Sequence, residues 1–286
     1  MLDTLADALL WSPPMDAQDP IGVFDSGIGG LTVLRELLQR LPEEDFVYLG
    51  DTARVPYGTK SAQTVIKYSM NNLDFLTNQR VKMVVVACNT ASAYALEALQ
   101  EVSEVPVIGV VEPGARAAIR KSRSKVIGVL GTRGTIKSRA YERRISALAP
   151  EVHVMGWPCP LFVPLAEEGF LTGDIPRQVV LHYLTGLART EPHIDTLLLG
   201  CTHYPLLYEL LDELADAIFD SDVTCVDSAT AVAQEVCASL DEMHLGCDRS
   251  SGGATEYYVT DLTRFEEIGE RFLGRPIRGV KQVDIG

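Results

Sequence analysis

Short apolar runs that alternate with segments of helical periodicity constrain the fold of this 286-residue chain more than any other feature. The runs are rich in Val, Ile and Leu and show little polar alternation, as parallel strands do when helices cover both faces of their sheet. Between them, Leu31, Leu34, Leu38 and Leu41 recur at spacings typical of an amphipathic helix. The runs occupy residues 21–24, 46–49, 83–87, 107–111, 126–130, 152–155, 197–199 and 223–226. The sequence therefore predicts an α/β fold with mainly parallel sheets flanked by helices.

The order of these runs repeats along the chain. An Ile-Gly-Val triplet opens one series at Ile21 and another at Ile127. Each series reaches an apolar run followed by a small residue and a cysteine, Cys88 in the first series and Cys201 in the second. A chance coincidence of apolar runs is the alternative, but the matching residue types after the run favour duplication. We therefore expect two similar domains, each built on a parallel sheet.

The charge and hydropathy of the chain limit the classes of partner that it can bind. With 25 basic and 39 acidic residues the formal net charge is −14, which argues against nucleic acid because its binders need a basic face. No apolar run approaches the roughly 18–20 residues of a membrane span, and the N-terminus carries acids where a secretory signal carries bases. We expect a cytoplasmic protein that binds neither nucleic acid nor membrane and keeps its 6 cysteines as thiols.

Two segments lie outside the predicted strands and helices. Residues 1–20 contain three prolines and precede the first strand, so we expect an N-terminal extension. Within it, Leu2, Leu5, Leu9 and Leu10 have the spacing of one amphipathic helix, and an unstructured segment is the alternative. The basic segment 120–125 is expected to be a solvated connection between the two halves.

Cys88 and Cys201 differ from the other cysteines because both follow an apolar run and have polar neighbours. Parallel sheets bind ligands beyond the carboxyl ends of their strands, where a helix N-terminus also stabilises a thiolate. Two thiols across a cleft suit the removal of a proton from one face of a carbon atom and the return of a proton to the other. The remaining cysteines are interpreted as small core residues: Cys159, Cys225, Cys237 and Cys247.

A zinc site is an alternative interpretation of Cys201 and His203, which lie two positions apart. The sequence contains neither a C-x-x-C nor an H-E-x-x-H pattern, and one distant cysteine completes no tetrahedral set. We therefore expect no metal.

Two loops rich in glycine or proline are candidate binding segments. Asp25-Ser26-Gly27-Ile28-Gly29-Gly30 follows the first predicted strand, and its glycines allow the backbone to approach a ligand. Ser26 is placed either to cap the following helix or to bind an anion. The loop lacks the Lys-Ser/Thr of a phosphate loop and the spacing of a dinucleotide fingerprint. Pro56-Tyr57-Gly58 is interpreted as a rigid binding loop, with a purely structural turn as the alternative.

Taken in order, the motifs of the chain resemble those of the glutamate racemases in the aspartate/glutamate racemase family. The resemblance covers about Ile21 to Leu273 without a large gap. Each motif is short, but together they form a specific set: Phe24-Asp25-Ser26-Gly27-Ile28-Gly29-Gly30-Leu31, Val55-Pro56-Tyr57-Gly58, Ala87-Cys88-Asn89-Thr90-Ala91 and Gly200-Cys201-Thr202-His203-Tyr204-Pro205-Leu206.

The resemblance implies an activity and a domain plan. The activity is a cofactor-independent interconversion of L- and D-glutamate, which supplies D-glutamate for peptidoglycan. The first domain would comprise residues 21–114 and 225–286 and the second residues 115–224, with the active site in the cleft between them. We also expect a homodimer.

The resemblance further implies roles for individual residues. Cys88 matches the thiol that deprotonates D-glutamate, and Cys201 matches the thiol that acts on L-glutamate. Asp25 matches the carboxylate near the first thiol, and His203 and Glu167 match the polar groups near the second. The matching substrate-binding positions are Asp25, Ser26, Pro56, Tyr57, Gly58, Asn89, Thr90, Thr132, Thr135, Thr202 and His203.

Four alternatives stay open at this point. Glu168 takes the role of Glu167 if the register slips by one residue. A two-thiol racemase of aspartate or a hydantoin would share fold and mechanism, although the loops at Asp25 and Pro56 favour glutamate. A non-catalytic amino-acid-binding protein would also close a cleft on its ligand, but it needs no paired cysteines. Some family members with an N-terminal extension depend on a cell-wall nucleotide precursor as activator.

Overall fold

The computed structural model describes residues 15–219, 222–249 and 251–286. The segment with Leu2, Leu5, Leu9 and Leu10, for which a helix and an unstructured segment were the alternatives, lies outside the described residues. Within them, every strand pair is parallel, and the strands form two sheets. The predicted α/β class is confirmed.

The first sheet contains six strands of the described chain. They are β1 (Ile21–Asp25), β2 (Phe46–Gly50), β3 (Met83–Val86), β4 (Val107–Gly109), β9 (Thr255–Val259) and β10 (Lys281–Gln282). Their order across the sheet is β10-β9-β2-β1-β3-β4. Strands β1 and β3 are buried along their whole length because helices cover both faces of the sheet.

The second sheet contains four strands of the described chain. They are β5 (Val126–Gly131), β6 (His153–Pro158), β7 (Thr196–Gly200) and β8 (Thr224–Asp227), in the order β6-β5-β7-β8. This order matches β2-β1-β3-β4 of the first sheet strand for strand. The predicted duplication into two similar domains is therefore confirmed, with β9 and β10 as additions to the first.

Helices connect the strands and cover both sheets. They are α1 (Leu31–Arg40), α2 (Ala62–Asn78), α3 (Asn89–Val102), α4 (Val111–Lys121), α5 (Arg133–Ser138), α6 (Ala140–Leu148), α7 (Phe162–Glu168), α8 (Asp174–Thr190), α9 (Tyr208–Ile218), α10 (Ser228–Met243) and α11 (Phe265–Leu273). In α1 the buried face carries Leu31, Leu34 and Leu37, while Leu38 and Leu41 are half-buried at its edge. No helix of the described residues is long and apolar enough to cross a membrane.

The chain returns from the second domain to the first just after β8. Strand β8 pairs with β7, so residues 225–227, expected in the first domain, belong to the second sheet. The next helix, α10, packs its Val232, Val236 and Leu240 into the core that contains the leucines of α1. We therefore propose that the boundary lies at residue 228 rather than 225.

The strand order also locates the binding crevice. In each sheet the strand order reverses between two neighbouring strands. The chain runs outward in one direction from β1 in the first sheet and β5 in the second, and in the other direction from β3 and β7. Ligands of open parallel sheets bind outside the carboxyl ends of the strands at such a switch point. The loops after these four strands carry both cysteines that the sequence singled out.

Candidate active site

One cavity of about 200 Å³ lies where these loops from the two domains meet. This is below the roughly 300–1,000 Å³ of sites for drug-sized ligands, so its occupant is small. Most of the predicted site residues form its wall, which consists of Ser26, Val55, Pro56, Tyr57, Gly58, Thr59, Cys88, Asn89, Thr90, Thr132, Arg133, Pro160, Val163, Pro164, Glu167, Cys201, Thr202 and His203.

Cys88 follows β3 and is the N-cap residue of α3, since its Sγ accepts the backbone N–H of Ala91 at 3.4 Å. The thiol donates to Ser26 Oγ at 3.6 Å. Burial, together with the nearby Asp25 carboxylate, raises the pKa of Cys88 to about 12. The group is therefore a protonated thiol at neutral pH, held at a helix N-terminus that favours its ionised form when a proton must leave.

Asp25 ends β1 and lies beneath the cavity, 1% exposed. Its Oδ2 accepts the Gly27 N–H at 2.9 Å, whereas Oδ1 has no hydrogen-bond partner among the described residues. Burial raises the pKa of this carboxyl, and the positive charge of His203 opposes the rise. Asp25 is not among the residues that line the cavity, so its effect on the site is electrostatic, through the neighbouring Cys88 and His203.

Ser26 does not cap α1. The N-cap position is Gly30, which has no side chain to accept a hydrogen bond, and Ser26 contacts the Cys88 thiol instead. The expected cap fails because four residues separate Ser26 from the start of the helix, too far for its oxygen to reach the first N–H groups.

Cys201 follows β7 and is supported by a histidine and a carboxylate. His203 Nδ1 lies 3.9 Å from Cys201 Sγ, and His203 Nε2 lies 3.0 Å from Glu167 Oε1. Burial alone would lower the pKa of His203, but its hydrogen bonds to Cys201 and Glu167 raise that pKa to about 10. The imidazole is thus protonated at neutral pH and places a positive charge beside the second thiol.

The two neighbouring glutamates at the end of α7 have different surroundings. Glu167 lines the cavity and meets His203, as the sequence analysis expected. Glu168 points away and forms an exposed ion pair with Arg264 at 3.0 Å. The alternative register that exchanged the two residues is therefore not the one that the structure has.

Three threonine hydroxyls link the domains at one side of the cavity. Thr90 Oγ1 of α3 lies 3.0 Å from Thr132 Oγ1 and 3.1 Å from Thr135 Oγ1, both on the second domain. Thr132 also caps α5 by accepting the Thr135 N–H at 3.2 Å. Thr90 and Thr132 line the cavity, whereas Thr135 is buried behind them and does not belong to its wall.

The loop around Pro56, Tyr57 and Gly58 closes another side of the cavity. The Tyr57 hydroxyl donates to the buried Asp51 carboxylate and accepts from Asn72 Nδ2 at 3.1 Å, so its ring is directed inward. The backbone of Gly58 runs against Thr132, and a Cβ at Gly58 would lie 2.8 Å from Thr132 Cβ. The loop is therefore anchored by its tyrosine and offers mainly backbone groups to a ligand.

The glycine loop of the first domain touches the thiol loop of the second. A Cβ at Gly29 would lie 2.2 Å from Thr202 Oγ1 and 2.5 Å from two atoms of the His203 ring. Thr32, at the start of α1, donates to the Thr202 carbonyl at 2.9 Å. Only a residue without a side chain fits against Thr202 and His203 at this point, which explains one glycine of the motif.

The side-chain nitrogen of Asn89 makes its contacts away from the two thiols. Its Nδ2 donates to Tyr141 Oη at 2.8 Å and lies 3.4 Å from Ser228 Oγ, while Oδ1 has no partner among the described residues. Tyr141 comes from α6, so this bond is a further connection between the domains.

Several residues of the cavity wall were not predicted as site residues: Val55, Thr59, Arg133, Pro160, Val163 and Pro164. Five of the six are valine, threonine or proline, and these residue types carry no chemistry that would have distinguished them in the sequence. Arg133 is the exception, because it is an exposed residue of the wall whose side chain carries a positive charge. In the described part of the chain no group of three His, Cys, Asp or Glu residues is arranged to hold a metal ion.

Comparisons with known proteins agree with this geometry. The profile of the Asp/Glu/Hydantoin racemase family matches residues 21–236. A glutamate racemase of Geobacter metallireducens is 49% identical over 266 residues, which cover 93% of this chain and 96% of the relative. A crystal structure of glutamate racemase from Francisella tularensis in complex with D-glutamate superposes with a TM-score of 0.87 at 37% identity, covering 94% of this chain and 98% of that one. A Bacillus anthracis glutamate racemase gives 0.87 at 40% identity with the same coverage.

Proposed function

Because the chain belongs to the Asp/Glu/Hydantoin racemase family and is an amino-acid racemase of the glutamate racemase type, we propose that it interconverts L- and D-glutamate by proton transfer between Cys88 and Cys201. The observation that carries this proposal is the presence of both thiols on the wall of one small cavity, each at the end of the equivalent strand of its domain. No metal and no cofactor takes part in the proposed steps.

The reaction consists of two proton transfers at one carbon atom. For L-glutamate, the thiolate of Cys201 removes the α-proton and becomes a thiol, which leaves a carbanion delocalised into the α-carboxylate. The Cys88 thiol then donates its proton to the opposite face and becomes the thiolate. D-glutamate reacts in the reverse order, so the two thiols exchange the roles of acid and base between the two directions of the reaction.

The surroundings of the thiols fit these roles. Cys88, with its pKa raised to about 12 by burial and Asp25, is the protonated partner before L-glutamate binds. His203, protonated and held by Glu167, stabilises a thiolate at Cys201. A substrate ammonium bound in the cavity beside Cys88 would offset the charge of the Asp25 carboxylate, which opposes ionisation of Cys88.

The transition state requires donors at the substrate carboxylate, because a carbon acid next to a carboxylate is very weak. Thr90, in the first turn of α3, and Thr202 line the cavity and carry hydroxyl groups that can donate, whereas the side-chain nitrogen of Asn89 is already bonded to Tyr141. Fixed donors in a site that excludes water are worth most where charge develops, and removing one typically lowers kcat on the order of 10²–10³-fold.

Glutamate has a second carboxylate and a hydantoin has none, so a group on the cavity wall that binds an anion favours glutamate over a hydantoin. Arg133, Tyr57 and Gly58 belong to the cavity wall, and the positive charge of Arg133 would favour a substrate with a second carboxylate. The D-glutamate formed would serve peptidoglycan synthesis in the cytoplasm, and the active unit would be a homodimer.

The test is racemisation of L- and D-glutamate followed by circular dichroism, with no added cofactor and with chelator present. Cys88→Ala and Cys201→Ala should each abolish turnover. Cys237→Ala, on α10 and outside the cavity wall, is the matched control and should retain wild-type kcat. Wild-type turnover in either of the first two variants would refute the two-thiol mechanism, and faster turnover of aspartate than of glutamate would refute the substrate.

A further inference from the structure

Arg271 of α11 reaches across the domain boundary to the helix that carries Glu167. Its Nη1 donates to the Ala166 carbonyl at 3.1 Å and to the Glu167 carbonyl at 2.8 Å. These carbonyls belong to the last turn of α7, where helix C=O groups lack partners within the helix. The guanidinium of the first domain thus completes the C-terminal end of a helix in the second domain.

The space for this contact is provided by a glycine. Gly169 ends α7 with φ of 77°, and a Cβ there would lie 2.9 Å from Cζ of Arg271. The next residue of α11, Phe272, packs its ring edge-to-face on His203 with the ring centroids 5.0 Å apart. Adjacent residues of one helix therefore contact the backbone of Glu167 and the ring of His203.

We infer that Arg271 is a positioning residue for the proton-transfer site, acting through Glu167 and His203 on Cys201. The guanidinium fixes the last turn of α7, and the last turn fixes the Glu167 carboxylate 3.0 Å from His203 Nε2. This orientation keeps the imidazolium facing the thiol at 3.9 Å. The inference rests on the proposed function, because it assigns Arg271 to the half-reaction in which Cys201 takes or gives the proton.

Two arginines of the same region allow a matched comparison. Arg264 also pairs across the domains from the same end of the chain, but it binds the exposed side chain of Glu168 rather than the helix backbone. Arg264→Met removes an ion pair between these elements and leaves the Glu167 carbonyl bound. Arg271→Met removes the carbonyl contacts and leaves the Glu168 ion pair. Arg271→Lys keeps the charge, and its ammonium group can restore part of the contact, because one nitrogen, Nη1, donates to both carbonyls in the wild type.

The first measurement is the NMR titration of His203, assigned with a His203→Gln variant. The charged groups that face the ring are Cys201 and Glu167 of the second domain and Asp25 of the first, while Phe272 is uncharged. In Arg271→Met the carboxylate of Glu167 is no longer held at Nε2, so the pKa of His203 should fall by roughly one unit or more. Arg264→Met should leave it as in the wild type.

The second measurement separates positioning from a purely structural role. Since the equilibrium constant of a racemase is one, kcat/KM is equal in both directions. A slower proton transfer at Cys201 alone is therefore detected by comparing the isotope effects of the two enantiomers. Arg271→Met should lower kcat about 10- to 100-fold, the size expected when a catalytic group is displaced by about 1 Å. The primary isotope effect with 2-deuterated L-glutamate should rise and that with D-glutamate should fall, because the Cys201 step becomes slower. Arg271→Lys should be intermediate.

The outcomes are distinct. An unchanged His203 titration with unchanged isotope effects in a folded Arg271→Met variant would overturn the inference, even if its unfolding temperature is lower. If Arg271→Met does not fold, the same two quantities are measured in Arg271→Gln, which keeps a polar group but is too short to hold both carbonyls, and wild-type values of both would overturn the inference. If the wild-type protein does not racemise glutamate while the His203 titration still moves in Arg271→Met, the proposed function fails and the positioning of Glu167 stands.

Discussion

Replacement of Gly29 by alanine should separate the two halves of the active site by a small and calculable amount. Gly29 lies in the first-domain loop, where its backbone faces Thr202 and His203 of the second domain. A methyl group at this position would lie 2.2 Å from Thr202 Oγ1 and 2.5 Å from His203 Cε1 and Nδ1. Both neighbours are buried side chains of the thiol loop, and the open space beside them is the cavity itself, so a shift of either one moves it into the proposed substrate site.

The size of the effect follows from that distance. Restoring ordinary contact at about 3.4 Å requires the two loops to part by roughly 1 Å. A methyl group forced into a packed interior destabilises a protein by about 1–3 kcal/mol. A displacement of about 1 Å at a reacting group lowers the rate by about 10²-fold. We therefore expect a modest loss of stability and a much larger loss of kcat in Gly29→Ala.

The assay is racemase turnover in both directions, combined with urea unfolding of the same preparation. Gly246→Ala is the control, because a Cβ at Gly246 meets no atom within 4 Å and the residue lies outside the cavity wall. This control should keep both kcat and the free energy of unfolding. Turnover of Gly29→Ala within twofold of the wild type would show that the contact between the Asp25 loop and the His203 loop does not set the active geometry.

Two further predictions concern other charged groups. Glu167→Gln should lower the pKa of His203 from about 10, because a positive imidazolium loses its carboxylate partner, and the alkaline limb of kcat/KM should move to lower pH. Glu168→Gln should leave the pH profile unchanged. Equal shifts in both variants would refute the assignment of Glu167 as the partner of His203. Lys82→Met should lower the free energy of unfolding by about 3–5 kcal/mol in urea titrations, since it leaves the buried Glu44 carboxylate without the ammonium now 2.6 Å away. A loss below about 1 kcal/mol would show that this pair contributes little.

The apolar runs predicted β1 to β8, including β6, whose two end residues are exposed, and missed β9 and β10. Continuous apolar runs mark β1, β3, β5 and β7, because no position on them has to meet water. Strand β9 was missed because Glu256 is exposed and Tyr258 half-exposed, so the run is broken by polar alternation near the edge of the sheet. Strand β10 has two exposed residues and no sequence signal at all.

The thiols could be placed from sequence alone, but their support could not. Cys88 and Cys201 each follow a strand directly, so local pattern locates them at the edge of a sheet. The pairing of His203 with Glu167 joins residues 36 positions apart, and it was inferred only from resemblance. The contact between Arg271 and Glu167 joins residues 104 positions apart on different domains, and nothing in either local segment indicates it.

The most direct test of the two-thiol account is racemisation of L-glutamate in D₂O at low conversion, with the α-deuterium content of both enantiomers measured separately. Each thiol serves one face, and its single proton exchanges with solvent. The account predicts D-glutamate that carries deuterium from the first turnovers, while the recovered L-glutamate stays largely unlabelled. D-glutamate that keeps the original α-hydrogen, or L-glutamate labelled as fast as the product, would contradict the assignment of separate acids and bases to Cys88 and Cys201.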